Sequence, residues 1–176
     1  MTKMSTKILS LVLTAAFFYS SSAFADIDKS RYLLGSYGYI YNGTSYTDTG
    51  PITFTETGFI IIDDDGSLSG EGTIAFYFSD FNGKKSPLWL LIHEEQSFGM
   101  ITQDPNNPCM GNIEFKATGT VIKTSNSELV PEGTVLFSDS IRSIAYTISG
   151  KKQEIVDMVS TSPGTIASGT AHKQED

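Results

Sequence analysis

Residues 58–72, GFIIIDDDGSLSGEG, bring three consecutive carboxylates to a glycine, the ingredients of a calcium loop. An EF-hand loop needs oxygen ligands at its positions 1, 3, 5 and 12 around a glycine at position 6. With Gly66 at position 6, Asp63 and Asp65 fall at 3 and 5, but Ile61 stands at 1 and Gly72 at 12. Two ligands are missing. The stretch therefore reads as a strand, an Asp-Gly turn whose glycine accepts positive φ, and a returning strand.

The other reactive residues form no familiar constellation. His93-Glu94-Glu95 has no second histidine at helical spacing for zinc, and it follows the β-like run LWLLI, so it reads as a strand end entering a charged turn. No Gly-x-Ser-x-Gly elbow occurs; Gly35-Ser36-Tyr37-Gly38 spaces its glycines differently. Acidic residues are many, but no pair stands out as a glycosidase couple. The glycine-rich runs have no phosphate-loop lysine in register. Cys109 is the single cysteine, which excludes an intrachain disulfide. Neither His93 nor His172 is placed beside it by sequence, so it reads as a buried, inert thiol. No catalytic residue, metal ligand or cofactor is assigned.

The surrounding pattern is that of strands. Tyr37, Tyr39 and Tyr41 alternate with small residues; Ile74, Phe76 and Phe78, then Ile113, Phe115 and Ala117, alternate in the same period of two. Further runs are 52–62, 88–93, 98–102, 134–138, 141–149, 155–159 and 165–171. Between runs lie turn formers: Asn42-Gly43, Asp65-Gly66, Asn82-Gly83, residues 105–108, 131–133, Ser149-Gly150 and 162–164. Residues 123–132 read as one long surface loop. No window of eleven residues carries a helical apolar stripe. Eight to ten strands in sequence order, without crossover helices, predict an all-β, single antiparallel up-and-down barrel that closes to hide its edges.

The ends bound the compartment. Lys3 and Lys7 precede an apolar run from Ile8 to Tyr19 and an Ala23-Phe24-Ala25 cleavage pattern, the form of an export signal over residues 1–25. That run is shorter than the roughly 20 residues a membrane-spanning helix needs. Residues 26–176 then form the barrel domain, destined for the periplasm or the medium of a bacterium. Cleavage removes two of 12 basic side chains and none of the 20 acidic ones, leaving a formal charge near −10. Nucleic acid is a poor partner for such a chain, because phosphate binding needs clustered cations. An outward stripe of Tyr or Phe would favour a homo-oligomer.

Three stretches, LLGSYGY at 33–39, DDDGSLSGEGT with NNPCMGNIEF, and residues 144–174, resemble small secreted bacterial β-proteins of uncharacterised function with a calycin-like, lipocalin-like or allene-oxide-cyclase-like barrel. The resemblance implies architecture and carries over no catalytic residue. An eight-stranded barrel is either filled by side chains or holds one small ligand. The expected function is accordingly non-catalytic binding of a small apolar or aromatic ligand, with Tyr37, Tyr39, Trp89 and His93 as contacts. A surface-interaction protein using loops 103–108 and 123–132 is the alternative. A cyclase or isomerase comes third, needing a polar group with a shifted pKa inside an open pocket.

Overall fold

A computed structural model describes residues 33–47, 50–79, 87–149 and 155–174. The expected export signal, the Asn82-Gly83 turn and Gly150 lie outside the described residues. The chain forms β1 (Gly35–Thr47), β2 (Gly50–Ile62), β3 (Ser67–Phe78), β4 (Leu88–Asp104), β5 (Asn107–Thr124), β6 (Val135–Ser149), β7 (Ile155–Ser160) and β8 (Thr165–Lys173). Each strand pairs antiparallel with the next, and β8 returns to β1, closing an up-and-down barrel. This is the expected architecture. Among the described residues no helix is long and apolar enough to cross a membrane.

The period of two becomes an inside and an outside. On β4, Leu88, Leu90 and Ile92 are buried while Trp89 between them is exposed. The interior is dominated by aliphatic and aromatic side chains, among them Tyr37, Ile62, Leu68, Ile74, Tyr146 and Val156. Near the β1–β2 turn, Tyr41, Phe54, Phe76 and Phe78 form a chain of ring contacts 6.0 to 6.2 Å apart. The Asp63–Gly66 stretch is the β2–β3 turn: Gly66 N–H donates to the Asp63 carbonyl, Ser67 N–H donates to Asp65 Oδ1, and Gly66 has φ of 80°.

Four sequence readings are corrected. Asn42-Gly43 is no turn; it lies inside β1, where Gly43 lets β8 approach so closely that a Cβ would stand 2.2 Å from the Ala167 methyl. Runs 88–93 and 98–102 are one strand, β4, interrupted by a register shift between Ser97 and Met100, with Phe98 at φ 51°. Runs 134–138 and 141–149 likewise fuse into β6 across Asp139, also at φ 51°. Bulges insert a residue without ending the ladder, so turn-like composition there marks a kink. The loop expected at 103–108 is only a tight turn, with Asn107 already paired to Asp104 across the hairpin. Residues 125–134 do form a long connection, anchored by the buried Val130.

Candidate functional site

Midway along the barrel, the apolar interior gives way to a polar layer. Its members come from inward positions of three strands and one kinked strand. Glu56 takes the inward place between Phe54 and Ile60 on β2; Glu94 and Gln96 continue the row of Leu88, Leu90 and Ile92 on β4. Tyr39 stands between Tyr37 and Tyr41 on β1, and Arg142 precedes Ile144, Tyr146 and Ile148 on β6. Glu94 and Gln96 are only 1% and 5% exposed, a burial that charged and polar groups tolerate only when partnered.

The partners are mutual. Tyr39 Oη donates to Glu56 Oε1 at 2.5 Å. Gln96 Nε2 faces three acceptors: the Tyr39 hydroxyl at 2.8 Å, Glu94 Oε1 at 3.0 Å and Glu56 Oε1 at 3.3 Å. Arg142 Nη2 reaches Glu94 Oε2 at 3.4 Å. Tyr39 can lie this low in the barrel because the wall beneath it is bare. Gly58 and Gly72 face each other across β2 and β3, and a Cβ on either would sit within 2.8 Å of the Tyr39 hydroxyl.

Two carboxyls and one guanidinium cannot all be neutralised as ions. Burial, followed by the adjacent Glu94 charge, pushes the Glu56 carboxyl up to about 7, against the opposing pull of the Tyr39 hydrogen bond and Arg142. Burial raises Glu94 as well, with Arg142 and Gln96 acting in the other direction. The two carboxyls thus tend to share a proton as pH falls through neutrality, as close like charges in a low dielectric do. Burial and the two carboxylates drive the Tyr39 hydroxyl far above the normal phenol range.

A cavity of about 40 Å³ adjoins this layer. Glu56, Glu94, Gln96 and Arg142 line it on the polar side, Phe54, Ile60, Ile113 and Met158 on the apolar side, and the hydroxyl-bearing Ser143, Ser160, Ser162 and Thr165 complete it. These hydroxyls mark an interruption of the wall. β7 has six residues, and its ladder with β6 starts only at the Ile144–Ser160 pair, so the first half of β6 has no β7 partner. The β7–β8 turn crosses there instead, with Thr161 N–H donating to the Ser143 carbonyl and Ser143 N–H donating to Ser162 Oγ.

Phe137 packs against Arg142. In a regular strand, residues 137 and 142 would face opposite sides; the Asp139 bulge turns both inward. The Phe137 ring lies 4.9 Å from the Arg142 guanidinium carbon and occupies the notch left by Gly119, where a Cβ would stand 2.2 Å from the ring.

The four expected contact residues separate. Tyr39 lines the cavity. Tyr37 is buried in the interior with its hydroxyl unpartnered in the protein. Trp89 and His93 lie on the outer face, where His93 Nε2 is 3.9 Å from Glu71 Oε2 and from Glu95 Oε1. The charged turn expected at His93-Glu94-Glu95 is the middle of β4, which carries Glu94 inward. Glu56, Glu94, Gln96 and Arg142 were not singled out by sequence, although their places in the alternating rows mark them as inward. Among the described residues, no group of three or more His, Cys, Asp or Glu side chains is placed to hold a metal ion.

The chain matches no protein-family model, no curated protein and no solved structure. Fold and site define its class: a closed eight-stranded antiparallel barrel, consistent with a calycin-like fold, with a hydrogen-bonded acid pair buried at mid-height beside a small cavity.

Proposed function

We propose that the protein is an exported, calycin-like barrel that binds a small apolar or aromatic molecule in its interior, without transforming it. The observation that carries this reading is the buried polar layer itself. A barrel of this size can be filled by apolar side chains alone, and burying two carboxyls costs stability. Such a layer is retained where it serves recognition. Ligand sites combine mostly apolar walls with a few fixed polar groups, which is the character of the cavity walls here. The break in the β6–β7 ladder at Ser143, bridged by the β7–β8 turn, is the proposed entry route, and Tyr39 is the expected contact residue that meets the ligand.

Isothermal titration of the purified protein with a panel of small aromatic and aliphatic compounds tests this. Saturable one-to-one binding, weakened by Tyr39→Phe and by filling the cavity with Ile113→Phe, is the expected result. No saturable heat across the panel would sink the proposal. A second reading draws on one observation: Glu56, held near neutrality beside a cavity, has the protonation behaviour of a general acid or base. Proton-transfer chemistry on a bound ligand, as in an isomerase, would reveal itself as turnover lost in Glu56→Gln.

A further inference from the structure

The polar layer has more carboxyl groups than cations, and that imbalance specifies a ligand. Glu56 and Glu94 bring four carboxyl oxygens, and Gln96 Oε1 is buried without a donor in the protein. Against them stand one hydroxyl on Tyr39, the Gln96 amide and Arg142, whose Nη2 meets Glu94 only at 3.4 Å and whose Nε is buried without an acceptor. The Gln96 amide hydrogens are already committed to Tyr39 and the two glutamates. In charge, two carboxyls face a single guanidinium. The remaining strands add nothing ionic at this level: β3 presents Gly70 and Gly72, β5 presents Ile113, Phe115 and Ala117, and β7 and β8 present Met158 and Ala171.

We infer that the site selects a small primary amine, its ammonium group seated among Glu56, Glu94 and Gln96 and its short apolar body directed along the cavity toward Ser160 and Thr165. This rests on the binding function proposed above and adds the chemical class of the ligand. An ammonium supplies three donors and one positive charge, which reaches the unpartnered Gln96 Oε1 and balances the second carboxylate. It competes with the proton the carboxyl pair shares, so binding near neutrality releases protons to solvent. The room fits. At roughly 10–15 Å³ per water-sized occupant, 40 Å³ accommodates the head of such a ligand, an ammonium with a methylene or two.

Titrating the protein calorimetrically with methylamine and ethylamine, against methanol and ethanol as neutral isosteres, tests the inference. At pH 8 the amines should bind at least tenfold more tightly than the alcohols, and the preference should shrink several-fold at pH 5.5, where the proton competes. Heats in two buffers of different ionisation enthalpy should register proton release. Glu56→Gln, which imitates the protonated carboxyl, should abolish the amine preference. Equal binding of amines and alcohols overturns the amine assignment and leaves the binding function standing. An amine preference that survives Glu56→Gln also overturns it, because the cation then sits elsewhere on the acidic surface. No saturable binding of either series removes both proposals together.

Discussion

A Cβ added to Gly72 would lie 2.5 Å from the Tyr39 hydroxyl and 3.5 Å from Glu56 Oε1. The glycine on β3 thereby determines whether a tyrosine on β1 can reach a glutamate on β2. Its only close backbone neighbour is the Thr57 carbonyl at 3.2 Å, so the obstruction to a methyl group is chiefly the phenol. Gly72→Ala should therefore destabilise the protein by about 1–3 kcal/mol, in the range of an overpacked core. Adding Tyr39→Phe, which removes the clashing oxygen, should recover part of that loss. Chemical denaturation of the two single variants and the double variant gives the coupling. Additive losses would show that Gly72 serves the backbone alone.

The shared proton makes stability depend on pH in a stated direction. The folded-state pKa of Glu56 lies above its unfolded value, at about 7 against 4.5, chiefly through burial. A group raised in this way binds more protons folded than unfolded between those two values. Its contribution is fully present below about pH 4.5, declines as pH rises, and is gone above about 7. Tyr39 on β1, Glu94 and Gln96 on β4, and Arg142 on β6 face this carboxyl; besides burial, Glu94 raises it, and Tyr39 and Arg142 oppose the rise. The melting temperature should fall by several degrees between pH 5 and pH 8. Glu56→Gln should flatten this slope and melt higher than the parent protein at pH 8. Parallel melting curves for the two proteins across that range would contradict the shared proton.

The barrel was legible because alternation and turn chemistry are local signals. The places where reading failed share a physical cause. Phe98 and Asp139 take positive φ inside strands, which non-glycine residues seldom do, and nothing in a single sequence distinguishes such a kink from a turn. Asn42-Gly43 has turn composition, but the requirement on Gly43 comes from Ala167, more than a hundred positions away. The polar layer was partly readable. Glu94 continues the inward row of Leu88, Leu90 and Ile92, and Glu56 the row of Ile52 and Phe54; a charge in an apolar row is a signal. What sequence cannot supply is that the two rows meet, and that Tyr39 joins them across two glycines.

The Arg142–Glu94 contact should behave as a buried pair does when one partner is removed. Arg142 is partly exposed and Glu94 is not, so Arg142→Met leaves a desolvated carboxylate without its cation. Glu94 should then titrate higher still, because Arg142 is the first of the groups holding it down. At pH 8 the loss of stability should be about 2–4 kcal/mol, below the upper end for fully buried pairs. The double variant Arg142→Met with Glu94→Gln should recover most of it, since removing both charges is far less costly than stranding one. Unfolding free energies of the single and double variants at pH 8 and pH 5 check this. A single-variant loss equal at both pH values would show that packing against Phe137, and not charge, is what Arg142 contributes.

Phe137 makes the final prediction, because its ring covers the cation that faces the acid pair. The ring fills the Gly119 notch and covers the Arg142 guanidinium. Removing it in Phe137→Ala admits water from the β6–β7 interruption toward the acid pair. Burial is the largest cause of the raised Glu56 carboxyl, so hydration should bring its titration midpoint down from about 7 toward the ordinary glutamate range. Gly119→Ala should act in the same direction by displacing the ring from its notch, with no change to the ring itself. Carboxyl ¹³C NMR titration of the parent protein and both variants reads this midpoint directly. A Glu56 midpoint unmoved by either substitution would mean that solvent is excluded from the acid pair by the barrel wall alone, and that Phe137 is a packing residue with no control over the entrance.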